Sequence, residues 1–159
     1  MTGVKNREMA KYEIERKYLL ADGCGTEYEK LAIAHYNISQ GYLSRRKEST
    51  VRVRIAGGKA FLTVKGVTEG AVREEYEYEV PLDDARRMMQ MCEGGYVEKV
   101  RWIVPWKGFT YEVDIFGGRN AGLKLCEVEL PTADTEPELP PFVGPEVTGD
   151  PRYYNSNLS

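Results

Sequence analysis

Seven stretches of this chain alternate apolar and charged residues with a period of two, and their charges fall largely into acidic strands and basic strands. Glu13, Glu15 and Lys17 oppose Tyr12, Ile14 and Tyr18. Arg52 and Arg54 oppose Val51, Val53 and Ile55, and Lys65 is backed by Leu62 and Val64. Glu75, Glu77 and Glu79 oppose Tyr76, Tyr78 and Val80, while Lys99 and Arg101 oppose Val100, Trp102 and Val104. Glu112 and Asp114 oppose Tyr111, Val113 and Ile115, and Glu127 and Glu129 oppose Cys126, Val128 and Leu130. This period places alternate side chains on opposite faces of a strand. An open sheet with one solvated face also alternates, but its polar face is a mixture. Like charges two residues apart repel, and a solvated face needs no segregation by sign. A closed barrel accounts for the pattern better, with apolar faces outward under helices and loops and charged faces inward around a channel. Crowded carboxylates raise one another's pKa unless cations neutralise them, and crowded bases call for an anion. Oxygen-only ligands favour Mg²⁺ or Mn²⁺ over zinc. A compact polyanion that brings metal with it is a polyphosphate chain.

The expected class is mainly β with flanking helices (α+β), built as a closed eight-stranded antiparallel β-barrel. Strands are predicted near 12–20, 36–44, 51–56, 60–66, 72–81, 96–104, 109–116 and 123–130. Gly57-Gly58 forms a tight hairpin turn, and Pro105-Trp106-Lys107-Gly108 is a second turn. Asp83 is predicted to cap a helix over 85–92 that Gly94-Gly95 stops, and a shorter helix covers 26–32. From Pro131 onward the tail reads as short helices or an ordered arm rather than strands. Residues 1–8 read as a flexible extension before a single domain over 9–159, with Met9 a candidate start.

A net charge of −3 over 159 residues excludes the overall basic footprint of a duplex nucleic-acid binder. No run is long and apolar enough to cross a bilayer, and the first ten residues do not form a secretory signal. Cys24, Cys92 and Cys126 match neither a disulfide framework nor a zinc motif, so a reducing cytoplasm is expected. His35, the cysteines, Trp102 and Trp106 read as packing residues. Tyr153 and Tyr154 either close one end of the channel or pack the tail. A homodimer is compatible with the sequence.

Glu13-Ile14-Glu15-Arg16-Lys17 is an E-x-E-x-K element on the first strand, and on its own it is a weak signal. It is followed in order by Gln40-Gly41-Tyr42-Leu43-Ser44, Val51-Arg52-Val53-Arg54, Thr63-Val64-Lys65 and Glu74-Glu75-Tyr76-Glu77. Val97 to Arg101, Glu112-Val113-Asp114, Glu127-Val128-Glu129 and Glu146 to Tyr153 complete the set. In this order the chain resembles the triphosphate tunnel metalloenzymes, also called CYTH domains, over nearly its whole length from Met9. Gln40-Gly41-Tyr42-Leu43 resembles the short bacterial inorganic triphosphatases more than the cyclase branch, which usually carries an aspartate and a second aromatic after the glutamine.

The resemblance implies metal-dependent hydrolysis of inorganic triphosphate to pyrophosphate and phosphate. Lys17, Arg52, Arg54, Lys65, Lys99 and Arg101 would hold the phosphates. Glu13, Glu15 and Glu129 would hold one metal, and Glu127, Glu77 and Asp114 could complete a second site. Glu127, Glu129 and Lys99 are the catalytic candidates. Alternatives are a hydrolase of thiamine triphosphate or a nucleotide, a class IV adenylyl cyclase, and a non-enzymatic polyphosphate-binding module. No strand shows an obvious inward aromatic pair for a nucleobase or thiazole ring.

Overall fold

The computed structural model describes residues 12–159, so the expectations for residues 1–8 and Met9 lie outside the described residues. Nine strands occur: β1 (Tyr12–Leu20), β2 (Ala34–Arg46), β3 (Ser49–Ala56), β4 (Lys59–Glu69), β5 (Val72–Val80), β6 (Tyr96–Trp106), β7 (Phe109–Phe116), β8 (Lys124–Glu129) and β9 (Val143–Glu146). Among the described residues three short α-helices accompany them: α1 (Glu27–Leu31), α2 (Leu82–Gln90) and α3 (Asn155–Leu158). The sheet runs β5-β4-β3-β2-β6-β7-β8-β1-β9, and a further β5–β1 pairing closes eight strands into a barrel. All pairings are antiparallel. β5 meets β1 only at Tyr12, Glu13 and Ile14, and β9 takes the same edge of β1 further along, at Tyr18 and Leu20.

Alternation sends the apolar positions outward, where they need cover. Tyr18, Val104, Tyr111, Val113, Cys126 and Val128 are buried on the outside of the barrel beneath Tyr28 of α1 and Phe142 of the tail. Val53 and Ala60 are covered by Ala85, Met88 and Met89 of α2 and by Cys92. The chain after α2 lies so close to β2 that a Cβ at Gly41 would sit 2.7 Å from the Cys92 sulfur, so that position has no room for a side chain. His35 stacks on Trp102 with ring centroids 4.3 Å apart, a packing role. All three cysteines are free thiols, and no helix among the described residues is long and apolar enough to cross a membrane.

Inside, the charged positions end sooner than the alternation suggests. Two residues beyond Lys17, Lys99, Asp114 and Glu127, the inward positions become Leu19, Val97, Phe116 and Leu125. These pack against Val147, Tyr153 and Leu158 of the tail. The tail thus forms an apolar floor at one end of the barrel.

Three local expectations change. The tail contains a strand, β9, where none was expected. Its Val-Gly-Pro-Glu sequence does not alternate, but Gly144 lets it press against β1, where a Cβ would lie 2.8 Å from the Leu20 carbonyl oxygen. Pro105 lies in β6 opposite Thr110, and only Lys107 and Gly108, both at positive φ, make the turn. β2 pairs with β6 no further than Ile103, so the missing N–H of Pro105 has no ladder bond to break on that side. Asp83 is not the cap of α2. Pro81 holds that position, and Asp83 sits in the first turn, where its charge suits the helix dipole and it accepts a bond from Arg86 at 3.1 Å.

Candidate active site

In chain order the acidic and basic strands interleave, but around the barrel they separate. The acidic strands β7, β8, β1 and β5 are contiguous, and so are β6, β2, β3 and β4, which bring the Lys and Arg residues together with neutral Tyr36, Ile38 and Gln40. Two walls of opposite sign therefore face each other. Between them lies a chamber of about 620 Å³ lined by Glu13, Glu15, Glu75, Glu77, Glu112, Glu127 and Glu129, and by Arg52, Arg54, Lys65 and Arg101. Tyr12, Tyr36 and Asn155 also line it. A smaller cavity of about 60 Å³ continues past Asn155 toward Lys17, Thr148 and Tyr154.

The register puts Glu15 opposite Glu129 and Lys17 opposite Glu127, so the first and last barrel strands bring their carboxylates together as neighbours. The side chains nonetheless lean toward bases. Lys65 donates to Glu13 at 2.8 Å, Lys17 lies 3.5 Å from Glu127, and Arg52 lies 3.6 Å from Glu77. Among the described residues, no three of His, Cys, Asp and Glu converge tightly enough to form a ready-made cation cage. Without a cation, mutual repulsion and the facing bases keep the carboxylates apart.

Asp114 differs from the sequence-based expectation. It is 1% exposed, and its two oxygens accept from Lys99 at 2.7 Å and from Arg101 at 2.8 and 2.9 Å. Both its oxygens are therefore committed to cations already inside the protein, which argues against a place among the metal ligands. Lys99 also donates to Asn155 at 3.3 Å and lies behind the chamber lining. Burial depresses its pKa, to about 7; Asp114 opposes that shift, while Arg101 and Arg54 reinforce it. Lys17 donates to the Tyr153 carbonyl at 2.9 Å. Of the six predicted phosphate holders, Arg52, Arg54, Lys65 and Arg101 line the main chamber, while Lys17 lines the smaller one.

Several lining residues had an inward place in the sequence reading without an assigned role, or had no place in it. Glu75 lies beside Glu13, and burial followed by Glu13 pushes its pKa up to about 8. Glu112 reaches Arg101 at 2.7 Å; like Glu75, it follows the same period-two pattern and could have been included. Tyr36 faces inward across from Arg101, and Tyr12 stands at the rim, so the chamber does have aromatic neighbours. Asn155 carries no signal in its local sequence, because only the folding back of the tail brings it here.

The pKa shifts record unfinished electrostatics. Glu15 is raised well above its ordinary value by burial and then by Glu127 and Glu13. Glu112 and Glu129 are raised too, burial leading in both. Burial would also raise Glu13 and Glu127, but nearby bases hold them low: Lys65 for Glu13, and Lys17 and Arg101 for Glu127. This donor set consists of oxygens alone and carries excess negative charge. It fits a hard divalent ion.

The fold and the site define a class: closed barrels that oppose a carboxylate wall to a basic wall around a chamber of polyanion size. The sequence matches the CYTH domain family over residues 11–154, and the chain belongs to that family. It is 44% identical to the inorganic triphosphatase of Acetivibrio thermocellus over 147 residues, 92% of each chain. It is 35% identical to that of Nitrosomonas europaea over 153 residues, 92% of this chain and 96% of the other. A solved structure of an inorganic triphosphatase superposes with a TM-score of 0.63 at 33% identity, covering 92% of this chain and 93% of that one. Membership in this family of tunnel metalloenzymes implies a divalent metal.

Stability should therefore depend on pH in a way set by the acidic wall. The folded pKa values of Glu15, Glu75, Glu112 and Glu129 lie above their ordinary 4.5. Between pH 5 and 7 the unfolded chain has released these protons while the folded chain retains some, so stability falls as pH rises. Melting temperatures in chelator at pH 5, 6 and 7 should decline, and excess Mg²⁺ should flatten the slope by favouring the charged forms. A metal-free melting temperature that climbs over this window would show that the wall is already neutralised by its bases. Above pH 7 the depressed Lys99 contributes the opposite slope, so the test stops there.

Proposed function

We propose that the protein hydrolyses inorganic triphosphate to pyrophosphate and phosphate, with Mg²⁺ or Mn²⁺ held by Glu13, Glu15, Glu127 and Glu129 and with Glu75 and Glu77 close by. The observation that carries this reading is the chamber itself, whose two walls suit a compact polyanion and its counter-cation. The names of the relatives support it. Phosphoryl transfer asks a protein chiefly for positioning and charge stabilisation. Arg52, Arg54 and Lys65 hold phosphate oxygens, and Arg101 presents a guanidinium whose plane Asp114 and Glu112 fix. The cation supplies Lewis-acid neutralisation of phosphate charge when bound. Lys99 and Asp114 act from behind the wall, orienting Arg101, and Lys17 ties the tail to the acidic side. Glu127 and Glu129 remain the carboxylates best placed to take the proton of an attacking water.

Tyr12 and Tyr36 favour a second reading, hydrolysis of a nucleoside triphosphate whose base rests at the rim. The discriminating measurement is kcat/KM for triphosphate, pyrophosphate, ATP and thiamine triphosphate with each metal. Triphosphate should be preferred, because binding comes from charged groups and a free terminal phosphate uses all its charge against the basic wall. Pyrophosphate should be poor, being too short to reach both walls. Clear preference for ATP or thiamine triphosphate, or cyclic AMP as product, would overturn the first reading.

A further inference from the structure

Of the six bases assigned to phosphate, five have a carboxylate partner: Lys17 with Glu127, Arg52 with Glu77, Lys65 with Glu13, and Lys99 and Arg101 with Asp114. Arg54 has none among the described residues. Its one hydrogen bond there is from Nε to Oε1 of Gln40, at 2.8 Å. The two residues are direct cross-strand neighbours on β2 and β3. Gln40 is fully buried, and its Nε2 has no partner among the described residues. An orphaned buried donor destabilises the fold, so this amide is a poor choice for stability alone.

We infer that Gln40 is a positioning residue for phosphate binding, one that orients the Arg54 guanidinium without neutralising it. A carboxylate at position 40 would orient Arg54 equally well but would also supply the counter-charge that the other five bases have. The neutral amide fixes Nε and leaves both terminal nitrogens of Arg54, in the chamber lining, free of protein acceptors. A guanidinium held in this way presents a planar fork that matches two oxygens of one phosphate group. Arg101 cannot do the same, since Nε and both terminal nitrogens already donate to Asp114 and Glu112. Among the described residues Arg54 is thus the one base of the main chamber whose charge and fork both await the substrate, and Gln40 determines where the fork points.

The inference rests on the reading of the chamber as a triphosphate site, and a double-mutant cycle separates the two. Arg54→Ala, Gln40→Leu and the double variant are compared by triphosphate kcat and KM at saturating Mg²⁺, with metal-free melting temperature as the control for folding. Gln40→Leu removes the orphaned amide, so its melting temperature should hold or rise while KM increases by about tenfold. In the Arg54→Ala background the same change should add less than about twofold, because Gln40 acts through Arg54. Gln40→Glu preserves the hydrogen bond and should still raise KM, by pairing with Arg54. An unchanged KM in Gln40→Leu, additive effects in the double variant, or wild-type KM in Gln40→Glu would each overturn the inference while leaving the site intact. Wild-type kinetics in Arg54→Ala would instead remove the phosphate site itself. If Gln40→Leu does not fold, Gln40→Glu decides the question alone.

Discussion

Replacing Glu15 with Gln should lower kcat/KM for triphosphate by at least about a hundredfold, in the range seen when a catalytic electrostatic group is lost, and should raise the melting temperature of the metal-free protein. The two effects share one cause. Glu15 lies opposite Glu129 and is buried beside Glu13 and Glu127, so its charged form is disfavoured until a cation arrives. Glutamine keeps the shape and removes the repulsion, which stabilises the empty barrel, but it also removes a ligand charge. The check is a pair of measurements on one preparation: thermal melts in chelator, and steady-state kinetics with excess Mg²⁺ or Mn²⁺. Near-normal activity in a folded Glu15→Gln protein would sink the acidic-wall assignment. A lower melting temperature would mean that Lys65 and Lys17 already compensate the Glu15 charge.

Asp114→Ala should show the opposite pattern, with loss of stability and activity together whether or not metal is present. Asp114 is the sole carboxylate partner of Lys99 and the main one of Arg101, and the side chains of all three are nearly inaccessible to solvent. Removing one partner of such a cluster strands buried charge and costs about 3–5 kcal/mol. At about 2–4 °C per kcal/mol for a chain of this size, the melting temperature should fall by roughly 10 °C or more. Glu129→Gln provides the contrast, since Glu129 is exposed at the rim and its loss should affect turnover rather than stability. If metal-free Asp114→Ala melts like the wild type while its metal affinity falls, Asp114 is a ligand after all, and the basic wall organises itself without it.

Much of the barrel is legible in the sequence because the period of a strand is two, and a period of two assigns every residue to one face or the other. Glu13, Glu15, Arg52, Arg54, Glu127 and Glu129 declare themselves by alternation alone, and so do the outward Tyr18, Val53, Cys126 and Val128. Glu75 and Glu112 belong to the same pattern, but charge on one face does not say which carboxylates bond a base. The β9 strand left no mark because a Gly-Pro segment without alternation was recruited by close backbone contact with Leu20. Asp83 has the composition of a cap, but the helix starts at Leu82 after Pro81, which places Asp83 two residues past the cap.

Alternation determined which side chains face inward, and the signs of those side chains determined that the interior needs a cation and a polyanion. Only the tertiary structure decided which wall each charge joins, because the circuit β7-β8-β1-β5 against β6-β2-β3-β4 gathers strands that are scattered along the chain. It also decided which charges are already compensated. Ion pairing depends on distances of 3 to 4 Å between strands whose relative stagger is a property of barrel closure, and no single strand encodes that stagger. For the same reason Asp114 is turned toward Lys99 and Arg101, Arg54 is left with only the Gln40 amide among the described residues, and the tail, far in sequence from the barrel strands it packs against, supplies the floor of the chamber.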